Sequence, residues 1–488
     1  MNEETKRSPI LDYEQVEERL KQIVANSDMI HQHPDLAITK YGLPIHYYTI
    51  GNGNKEIVIT GATHGSEIIT TDFILKLMEE MTKKEGKFKD TNLEEYTFHI
   101  IPLLNPEGYL ISTSAVRKLI PRDMELKEAE EICRQYYLAY RQDDRDAIER
   151  RKKGIEPDRI SQKRYQEMFK DIDYTCIPEK YKELRERVKE IYEKYPDLPK
   201  GSIINWSSNG DGIDIQSNTV HNKGTIEKMQ AHEHAYGTLR HENIDKSHPG
   251  PIGCPFIPEE GFKLTIETQT ITSLLETLYE KGTLVGYENF HSAGGLVYQR
   301  PCRNGNGVEI SEDMYWERIV NNIFEAISYA YKTYKNADDK DNSRYRVLKG
   351  SGTPTTTNDV FRMKYPADLL IELSGMGGNP IGPYGDLEGN YKNIMDSNID
   401  AYANYLQNHD IINIVSESAM NLFIRIMNEH NETLDENLKE EYIQKVYEIA
   451  EALMGEVINY IDEEKKQELF ELMNSGFFSE EIASKYKR

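Results

Sequence analysis

A histidine and a glutamate stand three positions apart at the point where an apolar run of the sequence ends. The stretch GATHGSEIIT, residues 61–70, follows the run EIVIT and contains His64 and Glu67. An i, i+3 pair that enters a helix places both side chains on one face, where they can bind one metal ion. The pair alone is a weak signal, because a chain with 13 histidines also forms it by chance. Its position is more informative, since α/β proteins place their sites in loops at the carboxyl ends of strands.

A second histidine occupies a similar position far along the chain. His291 in YENFHSAGG follows another apolar stretch and precedes small residues that leave room around it. A catalytic zinc ion needs three protein ligands and one open position for water. His291 could complete such a set with His64 and Glu67, or it could be a hydrogen-bonded histidine at the end of a strand.

A rival cluster of histidines lies in the stretch AHEHAYGTLRHENIDKSH. Its members are His232, His234, His241 and His248. Such a cluster can bind an ion. No strand end and no carboxylate pattern accompanies it, and we therefore interpret the stretch as a solvated loop.

The elements that would position these residues alternate between strand and helix. Residues 12–27 have helical spacing, and the alternating stretches AITKYG, PIHYYTIG and KEIVITG that follow predict strands. The stretch TDFILKLMEEMTKK predicts a helix, and YTFHIIPLLN predicts a further strand. Strand patterns resume at GIDIQ, TLVGYENF and ADLLIELSG. The alternation predicts an α/β fold with a mixed central sheet flanked by helices.

Two segments of a different texture interrupt and follow this pattern. Residues 117–200 form a long charged tract with helical periodicity, which we interpret as a helical insertion, and residues 401–488 predict a helical C-terminal extension. The main domain is then expected in two parts, residues 1–116 and residues 201–400. Because the insertion begins directly at Arg117, we hypothesise that it overhangs the cleft and restricts substrate size.

Composition and charge exclude several classes of function. Hydrophobic residues make up 38% and charged residues 29% of the chain, and the formal net charge is −24. A charge of this sign repels phosphate backbones and anionic membranes, so we expect neither nucleic acid nor a membrane as a partner. No apolar run approaches the roughly 18 residues of a membrane span, and MNEETKRSPILDYEQ has no hydrophobic segment, so we expect a cytoplasmic protein. Four cysteines without CxxC or CxxH spacing predict neither a disulfide scaffold nor a cysteine zinc site.

Several blocks, in order along the chain, resemble the zinc metallocarboxypeptidases, the carboxypeptidase A family. The chain is similar to a divergent, bacterial-type member of that family. His64 and Glu67 in HGSE match the family's first two zinc ligands, and His291 in FHS matches the third. The further matching blocks are LLNPEGY at 103–109, Arg117, GIDIQSN, IETQT at 266–270 and LLIELSG, which ends a strand at Glu372. The resemblance extends over most of residues 10–400 except the insertion.

The resemblance implies one Zn²⁺ ion held by these three ligands and a set of roles around it. Glu372 would be the general base, which takes a proton from water and passes it to the leaving amine. Arg117 would face the oxyanion as charge develops on the scissile carbonyl. Asp214 would accept the other ring N–H of His64 and so hold its tautomer.

The chain departs from the family's pattern where the substrate should bind. Gln216 and Ser217 occupy the positions at which the family has Asn-Arg to grip the substrate's terminal carboxylate, and serine cannot replace a bidentate guanidinium. Other arginines that could supply this charge are Arg300, Arg303 and Arg362. The nearest counterpart of the family's mobile capping tyrosine is Tyr345.

Together these residues predict a zinc-dependent metallopeptidase that hydrolyses a peptide or peptide-like amide with an altered carboxylate anchor. Two alternatives stay open on the sequence. One is a zinc-dependent deacylase of small N-acyl amino acids, as in the succinylglutamate desuccinylase and aspartoacylase group, although the length and the Arg117 spacing argue against it. The other is a catalytically silent zinc-binding interaction protein, against which the retained Glu372 argues.

Overall fold

The fold is built around one large β-sheet with helices packed on its faces. The computed structural model describes residues 9–89, 91, 93–153, 167–194, 200–216, 218, 264–292, 296–299, 346–349, 368–373 and 380–407, and the structural statements below concern these residues. The predicted α/β class, with a mixed sheet flanked by helices, is confirmed.

The described strands form a main sheet of eight and a separate pair. In chain order the strands are β1 Ile30–Gln32, β2 Ala37–Ile38, β3 Pro44–Ile45, β4 Tyr48–Gly51, β5 Lys55–Thr60, β6 Tyr96–Ile101, β7 Leu284–Ser292, β8 Leu296–Gln299, β9 Arg346–Lys349 and β10 Asp368–Leu373. The sheet order is β1-β4-β6-β5-β7-β10-β8-β9, and β2 pairs with β3. The apolar, β-branched run in β5 is typical of a central parallel strand, because both of its faces are covered.

The centre of the sheet is a parallel run, β6-β5-β7-β10. The chain passes from β5 to β6 on one side of β5 and later reaches β7 on the other side. The strand order therefore reverses between β5 and β7, and open α/β sheets bind ligands at such a switch point, outside the carboxyl ends of the strands. The loop after β5 carries His64 and Glu67, and His291 lies at the carboxyl end of β7.

Helices cover both faces of the sheet. The described α-helices are α1 Tyr13–Ala25, α2 Ile68–Met81, α3 Pro106–Leu119, α4 Leu126–Lys152, α5 Lys182–Lys194, α6 Ile266–Lys281 and α7 Lys392–Gln407. Short 3₁₀ turns lie at Leu93–Glu95, Tyr174–Cys176, Glu179–Tyr181, Lys200–Asn205 and Gly382–Gly385, and a π turn lies at Leu387–Tyr391. Within the described ranges, every helix is too short or too polar to cross a membrane.

Buried apolar side chains form one cluster on each face. The larger cluster lies between the sheet and helices α1, α2, α3 and α7, and in it the rings of Phe73 and Phe290 are 4.7 Å apart. The smaller cluster lies beneath α6 and includes Ile271 and Tyr287. Successive side chains of a strand point to opposite faces, so His291 points to the α6 side while Phe290 points away from it.

The helices of the predicted insertion share the larger core with the rest of the domain. Helix α4 contributes Tyr136 to this cluster, and α5 contributes Leu184 and Val188. Helix α3 crosses the predicted boundary at 116–117, and α7 crosses the one at 400–401. The tract 117–200 is helical where it is described, but its helices pack into the core. The predicted boundaries at 116–117 and 400–401 both fall inside helices. Beyond Gln407 the predicted C-terminal extension lies outside the described residues.

The stretch GIDIQ is a loop rather than the predicted strand. Gly212 has a φ of +80°, a left-handed conformation that interrupts an extended chain. The side chain of Asn209 accepts hydrogen bonds from the backbone N–H groups of Asp211 and Ile213. Polar side chains that bond to nearby backbone in this way offer the chain an alternative to a strand ladder.

Candidate metal centre

The loop between β5 and α2 has a constrained backbone. Ala62 has a φ of +46°, a left-handed conformation that is unfavourable for a residue with a side chain. Its N–H donates to the hydroxyl of Thr70, and its carbonyl accepts from the N–H of Asn105. The loop is therefore tied on one side to α2 and on the other to the segment after β6.

A glycine and an asparagine bring this loop against the first turn of α3. A Cβ atom on Gly65 would lie 2.1 Å from the carbonyl carbon of Gly108, so only glycine fits there. Asn105 caps α3, since its side-chain oxygen accepts the N–H of Gly108 at 2.9 Å. Its Nδ2 atom donates to the carbonyls of Thr63 at 3.2 Å and Ser207 at 3.1 Å. The block NPEG thus positions the loop as well as starting a helix.

Three side chains from the two sides of the switch point converge at the carboxyl edge of the sheet. The Nδ1 atom of His64 lies 2.9 Å from Glu67 Oε1, and the Nδ1 atom of His291 lies 3.0 Å from Glu67 Oε2. The two Nδ1 atoms are 3.3 Å apart. Ligand atoms of the three residues all lie within 4.8 Å of one another, so the group could hold a metal ion.

This set of donors fits zinc. Imidazole nitrogens and a carboxylate are the ligands of many catalytic zinc sites. Nδ1 of each histidine and the carboxylate of Glu67 direct lone pairs at one another unless a proton or a cation lies among them. Among the described residues, the buried Oε2 atom of Glu67 has no hydrogen bond of good geometry. A cation between the three groups would compensate the cost of burying these lone pairs.

The charges of these groups depend on one another. Burial acts to raise the pKa of Glu67, but the neighbouring His64 and His291 lower it to about 2, so the carboxyl group is ionised. Glu67 is also the N-cap of α2, where the helix dipole favours a negative charge. Burial acts to lower the pKa of His64, but Glu67 and Asp214 raise it well above its ordinary value. The group therefore attracts positive charge.

Glu372 lies beside this group on the neighbouring strand. In the parallel pairing of β10 with β7, Glu372 is opposite His291. Paired residues of adjacent strands point to the same face, and the strands lie about 4.8 Å apart. Glu372 is partly exposed whereas His291 is buried. The structure therefore places Glu372 at the more accessible rim of the group.

Asp214 lies against the outer nitrogen of His64. Its Oδ1 atom is 3.4 Å from His64 Nε2, and it accepts the backbone N–H of Gln216 at 3.0 Å. A carboxylate in this position orients the ring and selects the tautomer whose Nδ1 is available to a metal. The structure places Asp214 beside His64, as predicted, and its role in holding the tautomer stays a prediction.

Comparison with protein families identifies the class of enzyme to which this group belongs. A model of the zinc carboxypeptidase family, peptidase M14, matches residues 17–166, which include the loop with His64 and Glu67. The chain is similar to this family over those residues. It is a zinc carboxypeptidase-like peptidase, and its His-Glu-His group fits the zinc site of such an enzyme. A comparison with curated proteins gives no match.

Several solved structures are similar to this chain. Carboxypeptidase A from Helicoverpa armigera aligns over 83% of this chain and 74% of its own, with 13% identity and a TM-score of 0.46. Bovine thrombin-activatable fibrinolysis inhibitor, in complex with tick carboxypeptidase inhibitor, aligns over 83% and 98%, with 12% identity and a TM-score of 0.45. A metallo-carboxypeptidase from Burkholderia cenocepacia aligns over 82% and 69%, with 9% identity and a TM-score of 0.38. These similarities are too distant to transfer the role of any residue.

Arg117 is not part of the metal group of this peptidase. It lies near the end of α3, about 14 Å along the helix axis from Gly108 at 1.5 Å per residue. Its Nε atom donates to Asp12 at 2.8 Å, and its other donors reach backbone carbonyls and a glutamine side chain near the start of α1 and the end of α3. The predicted role at the oxyanion is corrected, because the guanidinium binds the N-terminus of α1. The spacing of Arg117 from the block NPEG does not reveal that α3 continues without a break to Leu119 and carries the arginine away from the metal group.

We expect Arg117→Ala to lower stability without lowering turnover. Burial acts to raise the pKa of Asp12, the N-cap of α1, but Arg122 and Arg117 hold it below its ordinary value. Loss of the partly buried guanidinium should lower the free energy of unfolding by about 2 to 4 kcal/mol, because the buried carboxylate of Asp12 loses one of its two partners. Denaturant unfolding and kcat on a cleaved peptide measure the two effects.

The matched control is Arg122→Ala. Arg122 contacts the same carboxylate of Asp12 from a side chain that is 53% exposed, and its loss should cost about 1 kcal/mol or less. A folded Arg117→Ala protein whose kcat falls by about 100-fold would restore the catalytic role.

The predicted substrate-binding residues lie only partly within the described chain. The side chain of Gln216 is buried, and its Oε1 atom accepts a hydrogen bond from Asn289 at 3.1 Å. The amide oxygen of Gln216 is therefore engaged inside the protein, and its contact with the substrate stays a prediction. Outside the described residues lie Ser217, Tyr345, Arg300, Arg303, Arg362 and the histidine cluster His232, His234, His241 and His248. Their roles stay predictions.

Two asparagines that bond to the segments of the site are not among the residues predicted from the sequence. Asn105 stands in the block NPEG, whose capping pattern is visible in the sequence, but its contacts with two other loops are tertiary. Asn289 stands two positions before His291 and points to the same face of β7. The two-residue period of a strand is the signal that could have identified it.

Proposed function

We propose that this chain is a zinc-dependent peptidase that hydrolyses an amide bond of a peptide or peptide-like substrate by means of a metal-activated water. The observation that carries the proposal is the convergence of His64, Glu67 and His291 beside Glu372. Three protein ligands that leave a position for water, next to a further carboxylate, are the parts that metal-assisted hydrolysis of an amide needs.

The side chains of the site have different roles in binding the ion. His64, Glu67 and His291 would hold one zinc ion, which would supply positive charge that lowers the pKa of water and polarises a carbonyl. Asp214 accepts the Nε2–H of His64 and so keeps the Nδ1 atom of that ring available.

Glu372 is the proposed general base and general acid of the reaction. It accepts a proton from the attacking water and donates it to the leaving nitrogen, a contribution typically on the order of 10²- to 10⁴-fold. Its place opposite His291 brings it close to the ligands without making it one of the three clustered groups. Its partial exposure is compatible with contact to both water and substrate.

The substrate is proposed to be a peptide whose end is recognised differently from that of a simple carboxypeptidase substrate. The position expected to bind a terminal carboxylate holds Gln216, whose amide is bonded to Asn289 in the interior. A carboxylate would therefore need another partner, and arginine is the side chain best suited to bind it. Peptides with an unusual C-terminal residue are the class that this altered anchor favours.

Removal of the metal tests the proposal. The purified protein is expected to hold about one zinc ion per chain and to hydrolyse members of a peptide panel. Activity should be lost on chelation and restored by zinc, but not by magnesium, which prefers oxygen ligands in octahedral geometry. Mass spectrometry of the products identifies the bond that is cut, and a panel of N-acyl amino acids separates a peptidase from a deacylase. Activity that persists after complete metal removal would contradict the proposal.

A further inference from the structure

A chain of hydrogen bonds connects the two segments that carry the ligand histidines. Asn289 is buried in β7, two positions before His291. Its Oδ1 atom accepts hydrogen bonds from the hydroxyl groups of Thr63 at 2.8 Å and Thr60 at 3.1 Å. Thr63 directly precedes His64 in the loop after β5. One side chain of β7 is thus bonded to the loop that carries the other histidine.

The connection continues through a second amide. The Nδ2 atom of Asn289 donates to Gln216 Oε1 at 3.1 Å. The backbone N–H of Gln216 donates to Asp214 Oδ1 at 3.0 Å, and this oxygen lies 3.4 Å from Nε2 of His64. The bonds from Thr63 to Asn289, Gln216 and Asp214 therefore close a ring that returns to His64.

We propose that Asn289 is a positioning residue that holds His64 and His291 at the separation required by zinc and thereby sets the affinity of the site for the ion. The inference rests on the proposed zinc site and extends it to residues that do not bind the metal. Strands β5 and β7 are adjacent in the sheet but distant in sequence. Their backbone pairing extends to Thr60 and Asn289, and beyond it the side chain of Asn289 connects β7 to Thr63 in the loop that carries His64. Ligands that are held in place before binding lose less conformational freedom when the ion binds.

An asparagine is suited to this position because its amide both accepts and donates. Its oxygen bonds to the threonine hydroxyls of one segment, and its nitrogen donates to the glutamine of another. An apolar side chain of similar volume would fill the space but would leave a buried hydroxyl and a buried amide oxygen without these partners. Such a replacement is expected to loosen the ligand geometry.

The test compares the zinc affinity of variants at both ends of the Thr63–Asn289 hydrogen bond. Competition with a chelator measures the dissociation constant for zinc, and the visible absorption spectrum of the Co²⁺-loaded protein reports ligand geometry. Asn289→Leu is expected to bind zinc about 10- to 100-fold more weakly, and Thr63→Val about 10-fold more weakly, each with an altered Co²⁺ spectrum. Thr63→Ser keeps the hydroxyl and should bind zinc within about twofold of wild type.

The controls remove equivalent hydrogen bonds elsewhere in the core. Asn398→Leu removes a buried amide that donates to the Ile394 carbonyl at 2.7 Å in α7, and Thr113→Val removes a buried hydroxyl that donates to the Tyr109 carbonyl at 2.7 Å in α3. Both should lower the unfolding midpoint and leave zinc affinity and the Co²⁺ spectrum unchanged.

The possible outcomes separate the inference from the proposed function. Wild-type zinc affinity in Thr63→Val and Asn289→Leu, or an equal loss of affinity in the controls, would overturn the positioning role while leaving the zinc site intact. A wild-type protein that binds no zinc would instead overturn the proposed function. If Asn289→Leu does not fold, the nearly isosteric Thr63→Val decides the question.

Discussion

Glu372→Gln is expected to keep its zinc and to lose turnover by about 10²- to 10⁴-fold. Glutamine has nearly the shape of glutamate but no basic oxygen, so it cannot take a proton from water. Glu372 is opposite His291 on β10 and is not one of the three clustered ligand groups. Zinc content by metal analysis and kcat on a cleaved peptide measure the two parts of the prediction.

The matched control for this variant is Glu288→Gln. Glu288 lies on β7, three positions before His291, and therefore points to the opposite face of the sheet. Burial raises its pKa to about 8, so the carboxyl group is protonated at pH 7 and glutamine replaces a neutral side chain. The kcat of Glu288→Gln should stay within about twofold of the wild-type value. Full activity of Glu372→Gln would remove Glu372 as the base, and loss of zinc from that variant would make it a ligand instead.

His291→Gln is expected to lose both zinc and turnover. His291 is one of three side chains in the group, and the two that remain, His64 and Glu67, come from a single loop. A catalytic zinc site needs three protein ligands, so the loss of affinity should exceed the 10- to 100-fold that is typical when a residue behind a ligand is replaced. Turnover should fall to the level of the chelated wild-type protein. Zinc analysis after dialysis and peptide hydrolysis provide the measurements.

The control for this variant is another buried histidine, His99→Gln on β6. The Nδ1 atom of His99 lies 2.5 Å from the hydroxyl group of Tyr47, and burial lowers the pKa of its ring to about 4. Loss of this contact should lower stability and leave zinc binding unchanged. Stoichiometric zinc and normal turnover in His291→Gln would show that the proposed ligand set is wrong.

The convergence of the ligands depends on the reversal of strand order. His64 and Glu67 follow β5, and His291 and Glu372 lie one residue before the ends of β7 and β10. These strands are parallel neighbours in the sheet. Side chains at the carboxyl ends of adjacent parallel strands meet at one edge. Helices that leave β5 and enter β7 lie on opposite faces of the sheet, and this opens the crevice in which the group lies.

The sequence patterns predict the strands that carry the ligands because those patterns are local. The apolar runs EIVIT and TLVGYENF and the run that ends at Glu372 become β5, β7 and β10. Central parallel strands have nearly continuous apolar runs, and such runs are visible in the sequence. The position of a polar residue at the end of such a run is then enough to nominate it for a site.

The patterns do not predict where a long or interior side chain goes. GIDIQ alternates like a strand, yet Asn209 bonds its backbone into a loop. Arg117 stands at a familiar spacing from NPEG, yet the continuous helix α3 carries it to Asp12. Gln216 stands where an anchor is expected, yet its amide bonds to Asn289. The Asn209 bonds are local but compete with a strand, whereas the contacts of Arg117 and Gln216 join segments that are distant in sequence.

The amino-acid sequence by itself determined the class of fold, the strands that carry the ligands and the types of residue that can bind zinc, because hydrophobic periodicity and residue chemistry are properties of short stretches. The tertiary structure alone decided that three ligand atoms lie within 4.8 Å of one another and that Asn289 connects the segments that carry two of them. It also decided that Arg117 binds the start of α1. The physical reason is that strand order and packing bring together residues more than 200 positions apart, such as His64 and His291, and a distance of this kind depends on the whole core.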